Sequence, residues 1–163
     1  MSTTPDGQGL MHASCVAVGD RAALITGTSG SGKSTLALQL IGLGAILVTD
    51  DQVQLTQRED TLHASPPPDL SGLIEVRHLG LLRLNYQAWG RVVLVTDLET
   101  PLDVPRLPQV RKTLITDVCL PLIPGKNHPN LAHVILACLR YGRHPLFLDP
   151  DPPAKRQQHA PKS

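Results

Sequence analysis

Gly27-Thr28-Ser29-Gly30-Ser31-Gly32-Lys33-Ser34 satisfies the phosphate-loop pattern G-x-x-x-x-G-K-[ST] at every fixed position. The apolar residues 22–25 before it read as a strand, and residues 34–41 after it read as the helix leaving the loop. Strand, glycine loop and helix in that order predict an α/β domain that binds a nucleoside triphosphate. The glycines let successive backbone N–H groups turn toward phosphate oxygens, and the positive end of the helix dipole favours the anion. Lys33 would reach the terminal phosphates and Ser34 would ligate Mg²⁺. The candidate nucleotide-binding residues are therefore Gly27, Thr28, Ser29, Gly30, Ser31, Gly32, Lys33 and Ser34, with Thr35 beside them. The competing reading is an ordinary glycine-rich turn.

Working outward, Gly42 and Gly44 stop the helix, and residues 45–49 form a continuous apolar run of the kind found in a buried central strand. It ends in Asp50-Asp51, so two carboxylates emerge at the strand's C-terminal edge, where open α/β sheets bind ligands. One carboxylate would hold Mg²⁺, usually through water, and the other would accept a proton from an attacking hydroxyl. A turn-forming Asp pair is the alternative. Upstream, residues 10–18 read as a strand, and Gly19-Asp20 suits a two-residue hairpin turn into the loop strand.

Downstream, Val53 and Leu55 alternate with polar residues, Arg58-Glu59-Asp60 reads as a turn, and residues 61–64 return as a short strand. Pro66-Pro67-Pro68 must leave the sheet or lie at its edge. Residues 73–77 and 79–84 surround Gly80, residues 91–98 are β-rich, and residues 99–109 read as a loop. Residues 113–123 read as strand material ending in a turn at Pro124-Gly125-Lys126-Asn127. Leu131, Val134, Ile135, Cys138 and Leu139 recur at helical spacing between the capping candidate Asn130 and the stop Gly142.

The chain has 163 residues, one domain's worth, and 15 basic against 14 acidic residues give a formal net charge of +1. That balance points to neither a nucleic-acid partner nor a membrane surface. No apolar run approaches the ~18 residues of a membrane span, and a cytoplasmic location is the default expectation. Cys15, Cys119 and Cys138 show no C-x-x-C spacing and sit in apolar runs, so they read as small core residues. Residues 1–9 and 149–163 are expected to be disordered, leaving residues 10–148 as a single catalytic domain.

The order of motifs resembles the catalytic domain of bacterial HPr kinase/phosphorylase. It runs from His12 through the phosphate loop to Leu47-Val48-Thr49-Asp50-Asp51, then Glu75-Val76-Arg77-His78-Leu79-Gly80, then Pro121-x-x-Pro124-Gly125-Lys126. The resemblance spans about residues 10–142. It implies a mixed sheet with few helices, similar to the phosphate-loop fold of phosphoenolpyruvate carboxykinase. The implied reaction is ATP- and Mg²⁺-dependent phosphorylation of a serine on an HPr-type phosphocarrier of the phosphotransferase system, with phosphorolysis as the reverse. By the same resemblance Asp51 is the base, His12 a charge-stabilising histidine and Arg106 the catalytic arginine. Ser34, Asp50 and Glu75 are the metal-side residues, and the assembly is a hexamer.

Departures from the family pattern bear on the reverse reaction. Thr35 stands where many members are acidic, Ala13 and His78 replace glycines, and Ile123 and Lys126 stand where arginines are typical. Lysine keeps the charge but loses the guanidinium fork, so phosphorolysis is in more doubt than kinase activity. The chain is expected to be a shortened, catalytic-domain-only form. A small-molecule kinase would carry an arginine-rich helical lid, for which the proline-broken strands after Asp51 leave little room. A nucleotide-sensing module without turnover is the non-enzymatic alternative.

Overall fold

The computed structural model describes residues 2–3, 8–102 and 111–142. The elements, in chain order, are β1 (Ser2–Thr3), β2 (Gln8–Met11), β3 (Ser14–Val18), β4 (Arg21–Thr26), α1 (Lys33–Gly42), β5 (Ile46–Thr49), β6 (Val53–Arg58) and β7 (Thr61–Ser65). They continue with β8 (Leu73–Val76), β9 (Gly80–Arg83), β10 (Gly90–Pro101), β11 (Arg111–Ile115), β12 (Val118–Lys126) and α2 (Leu131–Tyr141). Ten strands form one mixed sheet in the order β1-β2-β6-β7-β10-β4-β3-β5, with β12 and then β11 branching from β10. The hairpin β8-β9 stands apart as a second, two-stranded sheet.

Strand direction decides what can meet at the sheet's edge. β10 runs parallel to β4 and to β12, whereas β3 lies between β4 and β5 and is antiparallel to both. The C-terminal ends of β4 and β5 therefore share an edge with the N-terminal end of β3. The glycine loop after β4, the Asp pair after β5 and the residues around Ser14 are brought together by topology alone.

Side-chain alternation sorts the core into two layers. On β4, Ala23 and Ile25 join a cluster with Leu36, Leu40, Ile135 and Leu139 of the two helices, while Ala22 and Leu24 join one with Leu55, Leu62 and Val95 on the other face. Helix α1 ends in paired backbone bonds from Ala45 to the Leu40 carbonyl (3.0 Å) and from Gly44 to the Ile41 carbonyl (3.0 Å). Gly44 sits at φ 114°, a conformation open to glycine, and this closes the helix where the sequence predicts. Helix α2 ends at Gly142, and Arg21 donates from Nε to the Leu139 carbonyl (2.9 Å) and from Nη2 to the Cys138 carbonyl (3.0 Å). A cation on the last carbonyls suits the negative end of the helix dipole.

Several expectations are corrected. Residues 10–18 are not one strand: the chain bends at His12, so β2 pairs with β6 while β3 pairs with β4. Inside the segment expected to be disordered, Gln8 and Gly9 belong to β2, and Ser2 and Thr3 pair with Leu10 and Gly9. β5 closes the strand order and is not central, yet Leu47 and Val48 are fully buried because core packs on both faces. β10 continues through Pro101 into the segment read as a loop. Residues 113–123 belong to a hairpin turning at Thr116-Asp117, with Thr116 at φ 52°.

β12 then runs on through Pro124 to Lys126 where a turn was expected. It tolerates Pro121 because, among the described residues, that position pairs with β11 and not with β10, so its missing N–H can fall on the unbonded side. Cys15 is buried, Cys138 is half-buried and Cys119 is exposed, which corrects the core reading of Cys119. The disorder expected for residues 149–163 lies outside the described residues.

Burial pushes the Cys15 thiol pKa well up, which suppresses the reactive thiolate. Native-state alkylation followed by mass analysis should therefore label Cys119 and spare Cys15 until denaturant is added; comparable rates at the two would contradict the packing of β3. Ile135→Ala removes a fully buried side chain between α2 and the sheet. It should cost about 2–5 kcal/mol in urea unfolding, and a loss under about 1 kcal/mol would show that α2 is not part of the core.

Candidate functional site

The glycine loop depends on backbone angles that side chains disfavour. Gly30 and Gly32 lie at φ 85° and 106°, and a Cβ on Gly27 would collide with Ser31 Oγ. Ser31 N–H donates to the Thr28 carbonyl at 3.0 Å and closes the loop on itself. Lys33, only 6% exposed, donates from Nζ to the carbonyls of Gly27 (3.0 Å) and Thr28 (3.1 Å). Its ammonium is thus held in the curve of the loop. Thr28 Oγ1 donates to Glu99 Oε2 at 3.1 Å, anchoring the loop's outer limb to β10.

Asp50 is the buried carboxylate at the end of β5, 5% exposed. Its Oδ1 accepts from Ser14 Oγ at 2.6 Å, and both its oxygens lie within reach of Ser34 Oγ, at 2.8 and 2.9 Å. Its Oδ2 accepts from the Glu75 N–H at 3.3 Å. These hydroxyl and amide donors offset the cost of taking the charge out of water.

Asp51 is thrown outward by a left-handed backbone, φ 72°. Its N–H donates to Ser14 Oγ at 3.3 Å, and its carbonyl accepts from the Ala13 N–H at 3.1 Å. Asp51 Oδ1 stands 3.4 Å from His12 Nδ1, with the two side chains 65% and 49% exposed, so solvent screens that contact.

A cleft of about 450 Å³ opens between the loop and the β8-β9 hairpin. Lys33, Ser34, Thr35 and Asp51 line one wall, and Glu75, Arg77 and His78 line the other. Of the residues singled out in the sequence, the structure gathers His12, Lys33, Ser34, Asp50, Asp51 and Glu75 at this edge of the sheet. Glu75 meets Asp50 through its backbone, and its exposed side chain lines the cleft. Arg106 lies outside the described residues. Lys126 pairs opposite Pro101 and is not part of the cleft lining.

Ser14 was not singled out, although its hydroxyl touches both Asp50 and the Asp51 backbone. Among the small residues of an apolar strand it carries no sequence signal of its own. Arg77 and His78 were visible only within the Glu75 motif.

The model of the family described as HPr Serine kinase C-terminal domain matches residues 7–104. The chain belongs to this family. It is 37% identical over 125 residues to the HPr kinase/phosphorylase of Bacillus mycoides (strain KBAB4) and 35% identical over 124 residues to that of Shouchella clausii (strain KSM-K16). Each match covers 64% of this chain and 39% of the relative, so the chain spans well under half the length of these curated relatives. The solved HPr(Ser) kinase/phosphatase from Coxiella burnetii superposes with a TM-score of 0.71 at 27% identity, covering 93% of this chain and 96% of that one. The mixed, sheet-dominated α/β fold is that of the family.

Ser14→Ala removes one donor to a buried carboxylate and the acceptor of the Asp51 N–H. It should cost about 1–3 kcal/mol in urea unfolding and speed hydrogen exchange at the Asp51 amide. An unchanged exchange rate there would show that the hydroxyl does not hold the turn.

Proposed function

We propose that this chain is an ATP-dependent protein serine kinase that transfers the γ-phosphoryl group to a serine of an HPr-type phosphocarrier. The observation that carries this reading is that Asp51 lines the same cleft as Lys33 and Ser34, with the buried Asp50 bracing it from behind. The names of the relatives supply the acceptor class.

In this reading the loop N–H groups and Lys33 hold the triphosphate, and Asp51 orients the serine hydroxyl and takes its proton. His12, 3.4 Å from Asp51, steadies charge at that carboxylate, and Arg106 steadies the transferring group. Ser34 Oγ and the Asp50 carboxylate are hard oxygen donors within 2.9 Å of each other, a set that fits Mg²⁺. Among the described residues no cluster of three or more His, Cys, Asp or Glu is arranged to hold a metal, so Ser34, Asp50 and Glu75 would share the ion with nucleotide oxygens and water. Held by Ser34, Asp50 and Glu75, Mg²⁺ would supply positive charge against the negative charge that develops during transfer. Phosphorolysis uses the same in-line geometry with a different acceptor: an oxygen of inorganic phosphate attacks the phosphoserine phosphorus, the bond to the serine oxygen breaks, and the products are pyrophosphate and the free serine hydroxyl.

Intact-mass analysis of an HPr-type phosphocarrier incubated with the protein and Mg·ATP should show one added phosphoryl group on a serine, absent with Lys33→Ala. Asp51→Asn should slow the transfer by about 10²–10⁴-fold while ATP binding persists. Comparable turnover in Asp51→Asn would remove that residue as the base. ATP binding without transfer to the phosphocarrier would overturn the kinase reading.

A further inference from the structure

A second cleft, of about 720 Å³, lies on the other side of the loop, between α1 and the start of α2. The two clefts meet only at Gly32 and Thr35, the residues flanking Lys33 and Ser34. We infer that this second cleft holds the nucleoside of the triphosphate whose phosphates the loop binds, a step that rests on the nucleotide reading above.

Three observations converge on that assignment. The first is the geometry of transfer. In-line displacement places the attacking oxygen and the leaving phosphate on opposite sides of the phosphorus. With Asp51 in the first cleft, the acceptor enters from that side, and the rest of the nucleotide must extend away from it. Thr35 and Gln39, one helical turn apart on α1, lead from the loop into the second cleft.

The second is chemical character. The first cleft is walled by Asp51, Glu75, Arg77 and His78, whereas the second combines an apolar surface from Leu43, Leu98, Pro129 and Leu131 with the polar side chains of Gln39, His128, Asn130 and His133. A flat heterocycle gains from the apolar wall and is oriented by a small number of polar contacts.

The third is unused hydrogen-bonding capacity. Ser31 Oγ and His128 Nδ1, both from residues lining this cleft, are out of water without a partner. Asn130 makes no side-chain cap, and the first helical bond of α2 is donated by Val134 to the Asn130 carbonyl, so the cap and the helix leave the amides of the first turn uncommitted. Together with the Gln39 amide, these groups offer both donors and acceptors to a nucleobase edge and a ribose.

The test compares titration of the full chain with Mg·ATP and with Mg·tripolyphosphate, which has the phosphates without the nucleoside. The native chain should bind ATP more tightly than tripolyphosphate. Gln39→Trp, which fills the cleft, and His128→Ala, which removes its imidazole, should each weaken ATP by about tenfold and leave tripolyphosphate unchanged. The unchanged tripolyphosphate affinity also shows that the variants fold. Equal native affinity for the two ligands, no loss of ATP affinity in either variant, or equal losses for both ligands would each overturn the nucleoside assignment. Lys33→Ala should weaken both ligands, and its failure to weaken either would strike the phosphate-loop reading instead.

Discussion

The arrangement hangs on one buried carboxylate. Asp50, at the end of β5, receives hydroxyl bonds from Ser14 on β3 and Ser34 on α1 and an amide bond from Glu75 on β8. Four segments far apart in the chain are thereby fixed around one charge. A carboxylate this buried is stable only while its donors stay in place, so the loop's helix, the strand leading out of His12 and the hairpin across the cleft hold one another in register. The hub exists because β3 runs antiparallel between β4 and β5, which brings its first residue to the edge where their last residues end.

The same edge divides the surroundings of the loop into two environments. On one side the left-handed turn at Asp51 projects a carboxylate into a cleft faced by Glu75, Arg77 and His78. On the other, the packing of α1 near the start of α2 leaves a cleft whose apolar surface comes from residues such as Leu43 and Leu98. A bound nucleotide spanning the loop would have its reacting end among charges and its nucleoside against carbon. Such a division would hold a nucleotide by one end and leave the other open to an acceptor.

Legibility in the sequence followed how local the determinants were. The phosphate-loop pattern, the Gly19-Asp20 hairpin, the turn at Arg58-Glu59-Asp60 and the apolar stripe of α2 are written in short-range patterns, and each is where the sequence puts it. The Asp50-Asp51 pair was legible as a position, but the two residues separate into a buried hub and an outward carboxylate only through the φ of Asp51. Ser14 could not be read because its importance comes from two partners more than thirty residues away. β5 looked central because its apolar run is continuous, a signal that reports burial on two faces and not the number of paired neighbours. The turn wrongly placed after Ile123 followed Pro124 and Gly125, whereas the actual reversal at Thr116-Asp117 carries neither residue.

The two clefts imply a single direct displacement at the γ-phosphorus, with acceptor and nucleoside on opposite sides of the loop. Its stereochemical course can be read with ATP made chiral at the γ-phosphorus by oxygen isotopes, from the configuration of the phosphoserine formed. Direct displacement gives inversion. Retention would mean a phosphorylated intermediate on the protein and would contradict it.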